Sequence, residues 1–278
     1  MADDRQAGGE ERRPRWTSNA GASRGGSRDR RGAPPVSGPN RARHAQPRRQ
    51  DDGQPRPTPT GPRLPADIDA KQLSPEIRGE LTTLDKTTAD FVARHLVAAG
   101  ELLEEDPAAA LEHARAARAR SGRIAAVREA VGIAAYHCGD WAQALAELRA
   151  ARRMGSRSPL LALIADCERG VGRPERAIEL ARSAEAEQLT GDDADELRIV
   201  VAGARSDLGQ FEQALAVLSS PPLDPAQTGQ AAARLHYAHA ETLLALGRSD
   251  EALQSFMRAA AADVEGVTDA EERITELA

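Results

Sequence analysis

Apolar and small residues recur along this chain in a short pattern that comes round five times. In each copy an alanine is followed by leucine or isoleucine, and in four copies a glycine stands five residues before the alanine. The copies begin 34, 33, 37 and 38 residues apart, at Glu105, Gly139, Gly172, Gly209 and Gly247. The apolar positions have helical spacing, and no stretch shows the alternation of a strand. A repeat of this length therefore predicts an all-α solenoid of stacked helix pairs.

The small residues of the pattern predict where the two helices of a pair touch. One alanine stands early in each second helix, at Ala110, Ala144, Ala177, Ala214 and Ala252. In four copies another follows seven residues later, at Ala117, Ala151, Ala184 and Ala259. Two helices approach closely only where neither carries a bulky side chain, so we expect both sets to be buried. The glycines supply the backbone freedom that the tight turn between the helices needs.

Helix signals also flank the repeats. Ser74 followed by Pro75 is typical of a helix start, because serine caps free amides and proline tolerates the first helical position. We expect a short helix from there to about Leu84 and a longer one over about 88–104. Residues 268–271 match a capping box, which predicts a short charged helix that covers the last repeat.

Charge and composition divide the chain into two unlike parts. Residues 1–63 hold 14 Arg, no Lys and 7 acidic residues, with many prolines and few large apolar side chains. Such a segment buries too little surface to offset its backbone entropy, so it is predicted to be disordered. The remainder carries a net charge of −13 and is long enough for an apolar core. We expect an Arg/Pro/Gly-rich arm over 1–65, a helical cap over 66–90, the solenoid over 91–263 and a capping helix over 264–278.

The five copies resemble the tetratricopeptide repeat. That family has a small residue after the turn, a bulky residue two positions later, as at Trp141 and Phe211, and a Leu-Gly pair in the first helix, matched by Val131 and Gly132. The bulky position departs from the family at Pro107, Pro174 and Ser249. The resemblance covers about 90–263, and residues 81–90 also look like uncharacterised actinobacterial members. It implies a right-handed helix-turn-helix solenoid of about five repeats that acts as a non-enzymatic interaction scaffold.

In a stack of this kind the first helices line a concave groove, where we expect a protein or peptide partner. The family phase places these candidate partner-binding residues in the groove: Glu129, Tyr136, His137, Asp166, Arg169, Tyr237 and Glu241. The same phase adds His95, Ile133 and Ile199. The alternative is a solvated groove with no dedicated ligand. Clamping of a peptide carboxylate by Lys and Asn, which some family members use, is excluded because no Asn follows Asn40 and no Lys follows Lys86.

The second helices carry arginines at equivalent positions in successive repeats. These candidates for a basic edge are Arg115, Arg118, Arg149, Arg152, Arg153 and Arg182. Residues 115–157 hold nine Arg against three acids, between two acidic stretches. Stacked rows of guanidinium groups, together with the Arg-rich arm, suggest an alternative function in binding RNA. The other interpretation is that these arginines are surface cations paired with nearby glutamates.

The sequence contains none of the common catalytic or cofactor-binding motifs that we considered. It has no phosphate-binding loop, no dinucleotide fingerprint and no metalloprotease motif. His236 and His239 lie near Glu241, but a helical pair of this kind usually packs without a metal. Cys138 adjoins His137, yet neighbouring residues on a helix point in different directions. We therefore expect no enzyme activity, no cofactor and no metal.

The remaining sequence features concern the cellular setting. No run of 18 apolar residues and no secretory signal is present, so we expect a soluble, cytoplasmic protein. Both cysteines, Cys138 and Cys167, are expected to be reduced and buried. Two Lys against 35 Arg suggest a GC-rich, bacterial genome. The identity of the partner and the oligomeric state stay open at this stage.

Overall fold

The computed structural model describes residues 61–278, and this part of the chain forms twelve α-helices and no β-strand. After the short helix α1 (Pro75–Glu80), ten helices form five consecutive pairs. The pairs are α2 (Lys86–Glu101) with α3 (Pro107–Ser121), α4 (Ala125–His137) with α5 (Trp141–Arg153), α6 (Leu161–Gly170) with α7 (Pro174–Leu180), α8 (Asp192–Asp207) with α9 (Phe211–Leu218), and α10 (Gln230–Ala245) with α11 (Ser249–Ala262). Helix α12 (Ala270–Leu277) ends the chain. The predicted helix-turn-helix solenoid is confirmed; residues 1–60 of the predicted arm lie outside the described residues.

The predicted glycines make the turns inside four of the five pairs. Gly139, Gly172, Gly209 and Gly247 have φ angles of 72°, 78°, 71° and 73°, a left-handed region that favours glycine. The amide of Gly139 donates to the carbonyl of Tyr136, and the next amide donates to the carbonyl of Ala135, both at 2.9 Å. These bonds satisfy carbonyls left free at the end of α4, so the chain can turn directly into α5.

The alanine register within the pairs is also confirmed, with one exception. All five alanines early in the second helices are fully buried, as are Ala117, Ala151 and Ala259. The prediction was wrong for Ala184, which is exposed. The reason is that α7 ends at Leu180, so the chain has left the helical face before it reaches this alanine. The turns and the 3-10 helix Ala186–Gln188 lead instead towards α8.

The N-terminal elements form a cover for the first pair. The hydroxyl of Ser74 accepts a hydrogen bond from the amide of Ile77 with Pro75 at the first helical position, as predicted. The buried side chains of Ile68, Leu73 and Leu81 pack against the core of α2 and the start of α4. In addition, Oε2 of Glu80 accepts a hydrogen bond from the amide of Ala126, 3.1 Å away, and so caps a helix end that has no cap of its own.

The C-terminal helix is present, but the predicted capping box is wrong. Both the amide and the hydroxyl of Thr268 donate to the carboxylate of Asp263, at 2.7 and 2.6 Å, and Asp269 precedes α12 without a side-chain cap. Asp263, which follows α11, accepts both hydrogen bonds of Thr268, and these bonds close the loop between α11 and α12. Ala270 is buried, and Ile274 and Leu277 pack against the apolar cluster of α10 and α11, so α12 covers the end of the stack.

Candidate functional site

One face of the solenoid is carried by the first helices of successive pairs. Helix α6 packs against α8, and α8 packs against α10, while α12 follows beside α11. Side chains of these helices meet across the boundaries between pairs. We call this surface the first-helix face and define it by Tyr136, Asp166, Arg169, Glu196, Asp207, Arg234, Tyr237, Glu241 and Arg273.

A chain of polar contacts joins three pairs on the first-helix face. The hydroxyl of Tyr136 donates to Asp166 at 2.6 Å, and Nη1 of Arg169 donates to the other carboxylate oxygen at 2.7 Å. Arg169 also reaches Asp207 with two nitrogens, at 2.8 and 3.2 Å. A Cβ at Gly203 would lie 2.6 Å from Cζ of Arg169, so the glycine makes room for the guanidinium. These contacts fix the side chains of α4, α6 and α8 relative to one another.

The second part of the face reaches the last pair and α12. Arg234 pairs with Glu196 at 2.7 Å, and Arg273 pairs with Glu241 at 2.9 Å. The ring of Tyr237 meets the buried ring of Phe256 edge to face, with centroids 5.2 Å apart. Aromatic and charged side chains are therefore held in place along the face from α4 to α12.

Burial and charge set the protonation states on this face. Burial, followed by the charge of Asp166, raises the pKa of Tyr136. Burial and a hydrogen bond to Asp269 raise the pKa of Tyr237, so both phenols stay protonated donors. Burial lowers the pKa of Arg169, but its bonds and attraction to Asp207 and Asp166 outweigh that effect and the pKa is raised.

The surroundings of Glu196 disfavour its charged form. Burial raises its pKa, and the charges of Asp192, Asp195 and Asp166 add to the rise, while Arg234 opposes it. The carboxyl is thus surrounded by more negative than positive charge. An additional cation near Glu196 would relieve this repulsion.

The predicted groove residues fall into groups. Tyr136, Asp166 and Arg169 come together in one network, and Tyr237 and Glu241 lie together one pair further on. Glu129 accepts hydrogen bonds from the hydroxyls of Ser156 and Ser158 at 2.7 and 2.6 Å, which ties α4 to the loop before α6. His137 is exposed, with its ring 5.9 Å from that of Tyr136.

Two further residues that the family phase placed in the groove are buried instead. His95 lies between α2 and α3, with its Nδ1 2.9 Å from Nδ1 of His113, so it belongs to the contact inside the first pair. Ile199 is buried in an apolar cluster with Leu218 and Leu235.

Sequence reasoning missed four residues of the face, namely Glu196, Asp207, Arg234 and Arg273. A signal for some of them was present. Arg169 and Asp207 are 38 residues apart, as are Glu196 and Arg234, and 38 is the longest spacing in the repeat. Opposite charges one repeat apart on equivalent helices thus indicate a contact between neighbouring pairs.

The arginines of the basic edge mostly have partners inside the chain. Arg118 pairs with Glu147 at 2.9 Å, Arg149 pairs with Glu168, and Arg152 pairs with Glu185. Arg115 donates to the side-chain oxygen of Gln143 and lies 3.9 Å from Asp140. Arg153 and Arg182 are exposed and make no ion pair with another residue in 61–278. The edge is therefore less basic than its count of arginines indicates.

Two buried glutamates, Glu147 and Glu168, bind arginines of this edge, and the sequence did not indicate which glutamates would do so. The carboxylate of Glu147 lies between Arg118 and Arg128, at 2.9 and 2.8 Å, and Glu168 lies between Arg149 and Arg173. Each glutamate comes from a different helix than its two partners. Oε2 of Glu168 makes no hydrogen bond within the described part of the chain, although Nη1 of Arg173 is 3.9 Å away, at the floor of an open pocket beside α7.

The side chains that were considered as metal ligands or catalytic groups do not form a cluster in the described residues. Among residues 61–278, no three His, Cys, Asp or Glu side chains are placed to hold a metal ion. His239 contacts the hydroxyls of Ser255 and Ser219 at 3.0 and 3.3 Å. The expectation of two buried thiols is wrong for Cys138, which is exposed, because it lies at the end of α4 just before the turn. Burial raises the pKa of Cys167 to about 12.

The length and hydropathy of the helices show whether any of them could cross a membrane. Within the described residues, none of them combines the length and the apolar character that crossing a membrane requires.

The comparisons with known proteins concern the second half of the solenoid. Residues 162–268 match the family model of the tetratrico peptide repeat. The matched region begins in α6 and ends just before α12, so it contains most of three helix pairs. A comparison with curated proteins finds no match.

Proposed function

We propose that this chain, of which residues 162–268 match the tetratricopeptide-repeat family model, is a non-enzymatic scaffold that binds a protein or peptide on its first-helix face. The observation that carries the proposal is the continuous set of cross-pair contacts from Tyr136 on α4 to Arg273 on α12. A face that is fixed before binding loses little side-chain entropy when a partner docks.

The residues of the face have two different roles in this proposal. Asp166 and Arg169 are 14% and 11% exposed, so they hold the face in shape and offer little surface to a partner. Arg234 and Glu241 are 33% and 43% exposed, and the half-buried ring of Tyr237 lies between their helical turns. We assign direct contact with the partner to this second group, because a rigid aromatic ring beside charged groups is typical of binding hot spots.

Binding of RNA is the competing function, and it depends on the arm and on the basic edge. The pairing of Arg118, Arg149 and Arg152 with glutamates weighs against it, since a phosphate would have to displace those carboxylates. An RNA-binding protein of this kind loses affinity steeply as salt rises.

The experiment that separates the two functions is affinity capture with the tagged full-length chain. A lysate of the source cells is divided, and one half is treated with nuclease before capture. We expect one or a few discrete proteins that remain bound after nuclease treatment. If every captured protein disappears with nuclease, the scaffold function is wrong and binding of nucleic acid takes its place.

A further inference from the structure

The first-helix face carries an excess of negative charge. Its three guanidinium groups, on Arg169, Arg234 and Arg273, are all paired with carboxylates of the same face. Six carboxylates lie on it or at its border: Asp166, Asp192, Glu196, Asp207, Glu241 and Asp269. Together with its border the face therefore holds more carboxylates than guanidiniums. At Glu196, burial and the charges of Asp192, Asp195 and Asp166 raise the pKa, while Arg234 opposes the rise.

The chain itself contains a segment with the opposite charge. Residues 12–49 hold eleven Arg and a single acidic residue, Asp29, which gives a net charge of +10. These residues lie outside the described part of the chain. Residues 61–278 as a whole carry −12, so the two parts of the chain are complementary in charge.

The point at which the arm joins the solenoid allows it to reach the face. Gly61 lies against the first pair, where an added Cβ would be 2.7 Å from Ala116 and 2.8 Å from the ring of His95. Arg49 lies twelve positions before Gly61 and Arg12 lies 49 positions before it, so an extended chain spans about 40 Å to the first and about 160 Å to the second. Helix α2 packs on α4, α4 on α5, α5 on α6 and α6 on α8, so four steps between packed helices lead from α2 to α8, which amounts to roughly 40 Å at most. Arginines from Arg49 towards the N-terminus can therefore reach Glu196 and Asp207.

We propose that residues 12–49 bind the acidic first-helix face of their own chain and compete there with the protein partner. The proposal rests on the proposed function, because it assigns the same face to both ligands. Arginine suits this role because its planar guanidinium donates two parallel hydrogen bonds to one carboxylate. Tethering adds to the affinity, since segments of one chain meet at an effective local concentration on the order of 1 mM.

The test uses a fluorescent synthetic peptide of residues 12–49 and four forms of the full-length chain. The first is the natural chain. The second, the arm-neutral chain, has the eleven arginines of 12–49 replaced by glutamine. The third adds Glu196→Gln, Asp207→Asn and Glu241→Gln to the arm-neutral chain. A matched control carries Glu175→Gln, Glu179→Gln and Glu187→Gln instead, which changes the net charge equally at exposed positions away from the face.

We expect the arm-neutral chain to bind the peptide about tenfold more tightly than the natural chain, because the natural arm already occupies the face. The substitutions on the face should weaken peptide binding at least about tenfold, and the control substitutions should leave most of it. Binding should also weaken at about 0.5 M salt, where the charges are screened.

Several results would overturn the proposal. Equal affinity for the natural and arm-neutral chains means that the arm does not occupy the face. An equal loss in the control variant means that the attraction has no defined site. Dimers of the natural chain in sedimentation, absent for the arm-neutral chain, mean that the arm binds a second copy. Each of these results leaves the proposed function intact if capture of the protein partner still depends on the face.

Discussion

At the scale of single residues, the pair formed by His95 and His113 shows how burial changes a side chain's chemistry. The two Nδ1 atoms are 2.9 Å apart, so one ring donates and the other accepts, which requires a neutral acceptor. Burial lowers the pKa of His95 to about 4, and the charges of His113, Arg94 and Arg120 add to the effect. Burial also lowers the pKa of His113, against the opposing charge of Glu112.

This pair predicts that the protein loses stability as the pH falls. An unfolded histidine titrates near 6.5, so between that value and about 4 the unfolded chain binds more protons than the folded one. The stability is fully present above pH 6.5 and declines through this window. Between pH 7 and pH 5, His95 alone should cost about 2 kcal/mol of unfolding free energy.

Urea unfolding of the full-length chain at pH 7 and pH 5 measures this effect. The variant with His95→Gln and His113→Gln should lose less stability between the two pH values than the natural chain, whatever its stability at pH 7. If both chains lose the same amount, other groups account for the acid sensitivity.

At the scale of helices, the contact between α4 and α5 depends on the absence of a side chain at Gly132. A Cβ there would lie 2.7 Å from Cγ and Cδ2 of Leu148 and 3.1 Å from its backbone nitrogen. Leu148 is fully buried and cannot move away without disturbing the core around Ala135 and Ala144. Close approach of the two helices is therefore fixed by this one glycine.

Gly132→Ala should lower the free energy of unfolding by about 1–3 kcal/mol, because overpacking outweighs the better helix propensity of alanine. The matched control is Gly100→Ala in α2, where an added Cβ meets no atom within 4 Å. It should leave stability unchanged or raise it by up to about 1 kcal/mol. Denaturant unfolding of both variants checks the prediction, which fails if the two substitutions have the same effect.

The helix-scale features that the sequence predicted are those that depend on short spacings. The turn glycines and the alanine register follow from neighbouring residues in one repeat, and all of them but Ala184 are correct. The capping box predicted at Thr268 was wrong because the amide and hydroxyl of Thr268 both donate to the carboxylate of Asp263, five residues earlier. Pairing of the edge arginines with glutamates was one of two interpretations, but Glu147 and Glu168 could not be identified as the partners. These ion pairs depend on how one helix pair is rotated against the next, which no spacing within a repeat reveals.

At the scale of the whole molecule, ion pairing distinguishes the two surfaces. The arginines of the basic edge are largely matched by carboxylates, while the first-helix face keeps more carboxylates than guanidiniums. The sequence predicted a partner in the groove of the first helices, and the count of charges suggested the basic edge as an alternative place for a ligand. The contacts between helices add Glu196, Asp207, Arg234 and Arg273 to the groove residues that the sequence had indicated.

The most direct test of the central claim is the affinity of the captured partner for the full-length chain with Tyr237→Ala and Glu241→Ala. The control has Arg176→Ala and Glu179→Ala, an exposed ion pair on α7 away from the face. Circular dichroism and thermal unfolding establish that both variants are folded, and titration calorimetry measures binding. Substitutions on the face should weaken binding at least about tenfold, as hot-spot residues do, and the control should leave it unchanged. Unchanged affinity in the folded face variant would contradict the assignment of the first-helix face as the binding site.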